Sequence, residues 1–336
     1  MKILVENSTW NNMGDGWYQF ALYFLLKKIY SEHEVSIGEG PMRRSFRINN
    51  PKQLKNCLDI MLYQKADVHI FSGPILPSLL RDYKRKIIEI NKRNAQYALI
   101  SVSGTSLSQD RVNKIGNFLK EYPPILFISR DEETYKAFYP FIKNIYNGIC
   151  TAFLVNKTIP TYCFELEKPF FISSFYTEPE PFYSVRNGKD CTVENLQIQR
   201  KKTFLRMPYT YTRHFNFLHS QQDEVGNHLI VRTIQGFNPK FNHINFAMPH
   251  SFISFNPISY LGVTKSSKFV VSDRVHACAI GLAYGKPVKF SFNTPRAGIF
   301  DRMGFDYKSN KGIMYPNMER IDEEYEKLIA VIKKSI

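Results

Sequence analysis

The feature that most constrains the fold is a repeated alternation of short apolar runs with helical stretches in the first half of the chain. Four apolar runs have the length of buried strands, and each is followed by polar residues; they span residues 2–5, 68–71, 97–102 and 125–128. Helical patterns follow them at residues 17–30, 79–90, 111–120 and 132–138. This order predicts a parallel sheet with helices on both faces and a ligand crevice at the carboxyl ends of the strands.

The pattern changes near residue 157. From there to about residue 256 the chain is rich in aromatic residues, proline and asparagine, and the α/β pattern returns at residues 257–264. With 336 residues the chain is long enough for two domains of ordinary size. We therefore expect an α/β protein with two Rossmann-like domains facing a cleft. Residues 1–160 form the first and residues 161–336 the second, with an irregular segment at 177–256.

The net charge of +15 predicts a negatively charged partner. The excess is spread over both halves, and no zinc-finger, RNP-like or KH-like pattern is present, so we expect no nucleic-acid partner. An anionic substrate or an anionic membrane surface fits an even basic excess better. The longest apolar run, residues 20–26, is far shorter than the ~20 residues of a membrane span, and the five cysteines are scattered. We expect a cytoplasmic protein with reduced thiols, no signal peptide and no metal site.

One segment, Lys268 to Phe290, combines a strand, a polar turn, a short helix and a second strand. Arg274 and His276 stand where its helix begins. A helix N-terminus gathers unpaired backbone N–H groups and positive dipole charge, so this turn predicts an anion site with a proton donor beside it. The alternative is that Arg274 pairs with a carboxylate and that His276 only caps or packs.

A second motif, Asn12-Met-Gly-Asp15, follows the first strand and begins the first helix. Gly14 permits a close backbone approach, and Asp15 can cap the helix or accept a proton. An asparagine-rich turn with an ordinary helix cap explains the same residues. Neither motif alone indicates a function, whereas the two in combination do.

Together they resemble the polysaccharide pyruvyl transferase family. The resemblance lies in an N-x-G-D turn at residues 12–15, an R-x-H-A segment at residues 274–277 and a G-x-P-V segment at residues 285–288. The strand end Ser129-Arg130-Asp131 is similar to a further segment of that family. The family implies a two-domain fold similar to the B-type glycosyltransferases. It also implies transfer of the enolpyruvyl unit of phosphoenolpyruvate to two hydroxyls of a sugar, with release of phosphate.

The resemblance assigns roles to residues of this chain. It implies that Arg274 binds the donor anion, that His276 performs acid–base work or binds phosphate, and that Asp15 acts on the acceptor hydroxyl. Further substrate contacts are expected from Asn12, Gly14, Arg130, Ser103 and Gly104. The first domain becomes the acceptor side and the second the phosphoenolpyruvate side, with no cofactor besides the donor substrate.

The implied acceptor is a hexose of a capsule or exopolysaccharide, or of its lipid-linked precursor. A basic enzyme of this kind is expected at the inner face of the membrane. A B-type glycosyltransferase that uses a nucleotide sugar remains the main alternative, because the same cleft and anion site would serve a diphosphate. A non-catalytic sugar-binding protein with this fold is a second alternative, since 15% of the residues are aromatic.

Overall fold

The computed structural model describes residues 1–7, 12–46, 48–175, 181–186, 189–199, 222–235, 248–308 and 311–336. The framework consists of two sheets, one in each half of the chain. The first is parallel throughout, and the second is parallel except for one antiparallel pair toward each edge. Helices pack on both sheets and bury the apolar runs of the strands. The structure therefore confirms the predicted α/β class with parallel sheets.

The first sheet has six strands in the order β2-β1-β3-β4-β5-β6, and every pair is parallel. The strands are β1 Lys2–Asn7, β2 Glu34–Glu39, β3 Val68–Gly73, β4 Gln96–Val102, β5 Leu126–Ser129 and β6 Ile145–Asn147. The helices of this half are α1 Met13–Ile29, α2 Met42–Ser45, α3 Lys84–Lys92, α4 Gln109–Glu121, α5 Glu132–Phe138 and α6 Val155–Thr158. The four predicted strands are present. The helix predicted at residues 79–90 is a π-helical turn, Leu79–Tyr83, followed by α3.

The second sheet runs in the order β10-β11-β7-β13-β14-β15, with β12 beside β11. Its strands are β7 Phe170–Ser174, β10 Glu224–Val225, β11 His228–Thr233, β12 Ser251–Phe252, β13 Val270–Ser272, β14 Val288–Phe290 and β15 Ile313–Met314. A separate antiparallel pair consists of β8 Phe182–Val185 and β9 Leu196–Gln199. The helices are α7 Pro257–Ser266, α8 Val275–Ala283, α9 Gly298–Arg302 and α10 Met318–Ser335. Strand β11 lies in the segment expected to be irregular, because its apolar run, Leu229 to Val231, is short and follows a stretch with weak periodicity.

The two halves are packed together at the beginning of α1. The indole N–H of Trp17 donates to the carbonyl oxygen of Pro257 over 2.9 Å, and both residues are buried. A side chain at Gly16 would lie 2.5 Å from the Pro257 ring, so only glycine permits this approach. The last helix, α10, crosses back to the first half, where Tyr325 bonds to Lys28. The boundary at residue 160 stays a prediction.

Candidate functional site

The beginning of α1 faces the second half of the chain. Asn12 caps this helix, and its side-chain oxygen accepts a hydrogen bond from the backbone N–H of Gly14. The first helical N–H, that of Met13, donates to the carbonyl oxygen of Gln235 in the second half. The predicted N-x-G-D turn therefore lies at the junction of the two halves.

His276 lies directly against this turn. Strand β13 ends at Ser272, whose hydroxyl accepts from the backbone N–H of Arg274, and α8 then begins with Val275. A methyl group at Gly14 would lie 3.0 Å from Nδ1 of His276 and 3.2 Å from its Cβ. The two motifs that stand 260 residues apart in sequence thus meet at Gly14 and His276.

Arg130, at the end of β5, is the third member of the site. Its side chain is buried, and its Nη1 lies 3.3 Å from Nε2 of His276. A guanidinium only donates, so Nε2 of His276 must be the acceptor and the imidazole is neutral in this contact. The pKa of His276 is well below its ordinary value, because the ring is buried and the positive charges of Arg130 and Arg296 lie nearby. His276 is therefore neutral and can accept a proton, although its lowered pKa makes it a weaker base than an exposed histidine.

Asp15 lies in the same cluster, in the first turn of α1. Its side chain is buried, and burial raises the pKa of its carboxyl above the usual range. Three guanidinium groups oppose this rise, those of Arg44, Arg130 and Arg296, as does a hydrogen bond with Tyr18. Three positive groups around one carboxyl leave an excess of positive charge, which is the electrostatic condition for an anion site.

Arg44 and Arg296 were not predicted from the sequence. Arg44 lies in the short helix α2, and its Nη1 donates to the carbonyl oxygen of Pro74 and to the hydroxyl of Ser78. Arg296 lies in a 3-10 turn, Pro295–Ala297, and is exposed at the edge of the cluster. Both elements are too short for a periodic pattern. The Thr-Pro step before Arg296 is a recognisable helix-start signal, but it carries no information on function.

The remaining predicted residues are Arg274, Ser103 and Gly104. Arg274 is the residue directly before α8, and its charge acts on the hydroxyl of Tyr260. Ser103 shares a hydrogen bond with Thr105, and the N–H of Gly104 donates to the hydroxyl of Thr134. The structure thus brings Asn12, Gly14, Asp15, Arg130 and His276 together. Ser103 bonds within its own turn and Gly104 bonds to the beginning of α5, and their assignment to substrate contacts stays a prediction.

The family model for polysaccharide pyruvyl transferase matches residues 10–288, a range that includes all the site residues named above except Arg296. No curated protein sequence matches the chain.

Among solved structures, the chain is similar to nucleotide-sugar epimerases in fold. A putative UDP-N-acetylglucosamine 2-epimerase from Listeria monocytogenes is 11% identical with a TM-score of 0.54, and the match covers 99% of this chain and 96% of that one. MnaA of S. aureus, in a co-structure with UDP, is 10% identical with a TM-score of 0.54 over 99% and 97% of the two chains. These structures have the B-type glycosyltransferase fold, which confirms the predicted fold class. From the family match over most of its length, the chain belongs to the polysaccharide pyruvyl transferase family.

Proposed function

We propose that the protein forms a pyruvate ketal on a hexose of a cell-surface polysaccharide or its lipid-linked precursor, with phosphoenolpyruvate as donor. The observation that carries the proposal is the group of three guanidinium groups around Asp15 and His276 at the junction of the two halves. Phosphoenolpyruvate carries a carboxylate and a phosphate. Guanidinium groups bind both kinds of oxyanion through paired hydrogen bonds.

The donor would lie against Arg130 and the beginning of α8, where Arg274 is the further guanidinium that the family resemblance assigns to it. The Nε–H of Arg130 is buried and has no hydrogen-bond partner among the described residues, so it is available to an oxyanion. An unpaired buried donor costs roughly 1–3 kcal/mol, which an oxyanion would recover on binding. This is a reason for the donor to bind here rather than at an exposed arginine.

The reaction moves two protons. The methylene carbon of the enolpyruvyl group takes up one proton, two sugar hydroxyls lose one each, and the second proton leaves with the phosphate. The C–O bond to phosphate breaks as two C–O bonds to the sugar form at the same carbon. Acid–base groups account for every step, so the proposal includes no metal or other cofactor.

His276 and Asp15 are the acid–base groups of this proposal. A neutral His276 accepts a proton, and a bound dianion would offset the nearby arginine charges and so raise the pKa of its imidazole. Burial raises the pKa of Asp15, which makes its carboxylate a stronger base toward an acceptor hydroxyl than an exposed aspartate is. The two groups together supply one site for each proton.

The test is incubation with a panel of hexosides and either phosphoenolpyruvate or a nucleotide sugar, followed by phosphate release and product mass. We expect phosphate release and a product heavier than the acceptor by one pyruvate less water. A hexose gain from the nucleotide sugar would instead establish the glycosyltransferase. Arg274→Lys should lose most activity, and His276→Ala should lower turnover about 10²-fold. The matched controls are Arg111→Lys and His33→Ala, both at exposed positions outside the site.

A further inference from the structure

An exposed apolar surface lies between β2 and β3, in residues 42–65, which we name the docking segment. Its described residues, 42–46 and 48–65, form α2, two 3-10 turns and connecting loops. Four of the twelve exposed large hydrophobic side chains among the described residues belong to it. They are Phe46 at 62% exposure, Leu58 at 66%, Ile60 at 45% and Tyr63 at 66%. Large side chains concentrated in this way in one short segment mark an interaction surface.

The docking segment is anchored while these side chains remain exposed. Met61 is buried in the core of the first half, and the ammonium of Lys86 donates to the carbonyl oxygens of Met61 and Gln64 over 2.6 and 2.7 Å. The backbone N–H of Met42 lies 3.5 Å from the carboxylate of Asp59, a contact that links the beginning of the segment to its second half. The apolar side chains are thus held at the surface on a fixed base.

The charge of the docking segment specifies its partner. These 24 residues contain six arginines and lysines against one aspartate, so they carry +5 of the chain's net +15. Lys52, Lys55 and Lys65 are exposed beside the apolar side chains. Exposed aromatic and leucine side chains with lysines around them are the composition of segments that lie in the interface of anionic bilayers.

We infer that the docking segment binds the protein to the surface of an anionic lipid bilayer. Phe46, Leu58 and Tyr63 enter the headgroup region, and the lysines contact lipid phosphates. Binding is peripheral, because none of the helices in the described part of the chain is both long and apolar enough to cross a membrane. The segment also carries Arg44, whose charge acts on Asp15, so docking places the site beside the membrane. This inference is independent of the reaction proposed above.

The experiment is flotation of the full chain with vesicles of phosphatidylcholine alone or mixed with phosphatidylglycerol. We expect binding to the mixed vesicles that weakens with salt, and little binding to the neutral ones. Lys52→Gln and Lys55→Gln should each weaken binding roughly fivefold. Leu58→Ser with Tyr63→Ser should abolish it, whereas Tyr139→Ser with Leu166→Ser, also at exposed positions, should bind as the wild type does.

A second measurement reports insertion directly. Tryptophan in place of Tyr63 should shift its emission to the blue with anionic vesicles, and tryptophan in place of Tyr139 should not. Equal binding of the wild type to both vesicle types, or the same loss in both double variants, would overturn the inference. Light scattering without lipid gives a further test. A dimer that becomes a monomer in the Leu58→Ser, Tyr63→Ser variant would also overturn the inference, because the segment would then bind a second copy of the chain.

Discussion

Substitution of Gly14 by alanine is the most direct test of the contact between the two motifs. The new methyl group would lie 3.0 Å from Nδ1 of His276, so the imidazole has to move by about 0.4 Å to regain an ordinary van der Waals separation of about 3.4 Å. Movement is restricted, because the ring also lies 3.3 Å from Nη1 of Arg130 and 5.2 Å, between centroids, from the ring of Tyr18.

The size of the effect follows from this displacement. A misplacement of 1 Å can cost about 10² in rate, so about 0.4 Å corresponds to a loss of roughly five- to tenfold in turnover. That loss equals about 1 kcal/mol of transition-state stabilisation. The fold should tolerate the change, since Ala replaces Gly within α1 with a gain of about 0.5–1 kcal/mol that offsets part of the close contact.

Three measurements separate the outcomes. Calorimetric titration with phosphoenolpyruvate should give a dissociation constant within about twofold of the wild type, because the arginines that bind the anion are unchanged. Phosphate release should fall, and the melting temperature should stay nearly constant. Gly298→Ala is the matched control, since its methyl group would lie 3.5 Å from Cβ of Asp131, an ordinary contact. Wild-type turnover in the folded Gly14→Ala protein would refute a role for this contact, as would an equal loss in the control.

Other changes probe the charges of the molecule. Arg130→Met should raise the pKa of His276, because the guanidinium charge that disfavours the imidazolium is gone; NMR titration of the imidazole measures the shift, and an unchanged pKa would contradict the electrostatic assignment. Burial raises the pKa of Glu6 from 4.5 to about 8, so the folded state holds a proton that the unfolded chain releases. The wild type should therefore lose stability relative to Glu6→Gln as pH rises across this range. The measurement is the free energy of unfolding from urea denaturation at several pH values, and the same pH dependence in both proteins would disprove the prediction. Arg302→Met removes a 3.0 Å ion pair between α9 and α10 and should lower the free energy of unfolding by about 2 kcal/mol. The control Lys308→Met removes an exposed ion pair and should lower it by less than about 0.5 kcal/mol. Equal losses in urea denaturation would contradict a role for burial.

The sequence predicts the parts of the site that lie at the ends of regular elements. Asn12 to Asp15 begin α1, and His276 lies in the first turn of α8, where a strand, a polar turn and an apolar helix follow one another in a readable order. The family resemblance placed both motifs in one site, but the contact between Gly14 and His276 could not be predicted, since it depends on how the two sheets are placed relative to each other. Strand β11 was missed for a related reason, because its six residues fit a buried strand only once β7 is known to lie beside them.

The local distribution of charge was also not predicted from the sequence. Averaged over each half, the basic excess is even, and this average hides the +5 of the docking segment. The exposure of Leu58 and Tyr63 could not be predicted either. The segment has no helical or strand periodicity, so its sequence does not distinguish buried apolar residues from exposed ones. Only the structure shows that Met61 is buried and that its apolar neighbours are exposed.

The site itself has a consequence for the junction between the two halves. Arg44 and Arg130 come from the first half, and Arg296 comes from the second. In the absence of an anion these like charges repel one another across the junction, and the carboxylates of Asp15 and, beside Arg44, Asp82 cannot offset all three. A bound dianion would convert this repulsion into attraction from both sides. Any ligand that does so binds the joined arrangement more tightly than a separated one, so binding of such an anion and the packing of the two halves must stabilise each other.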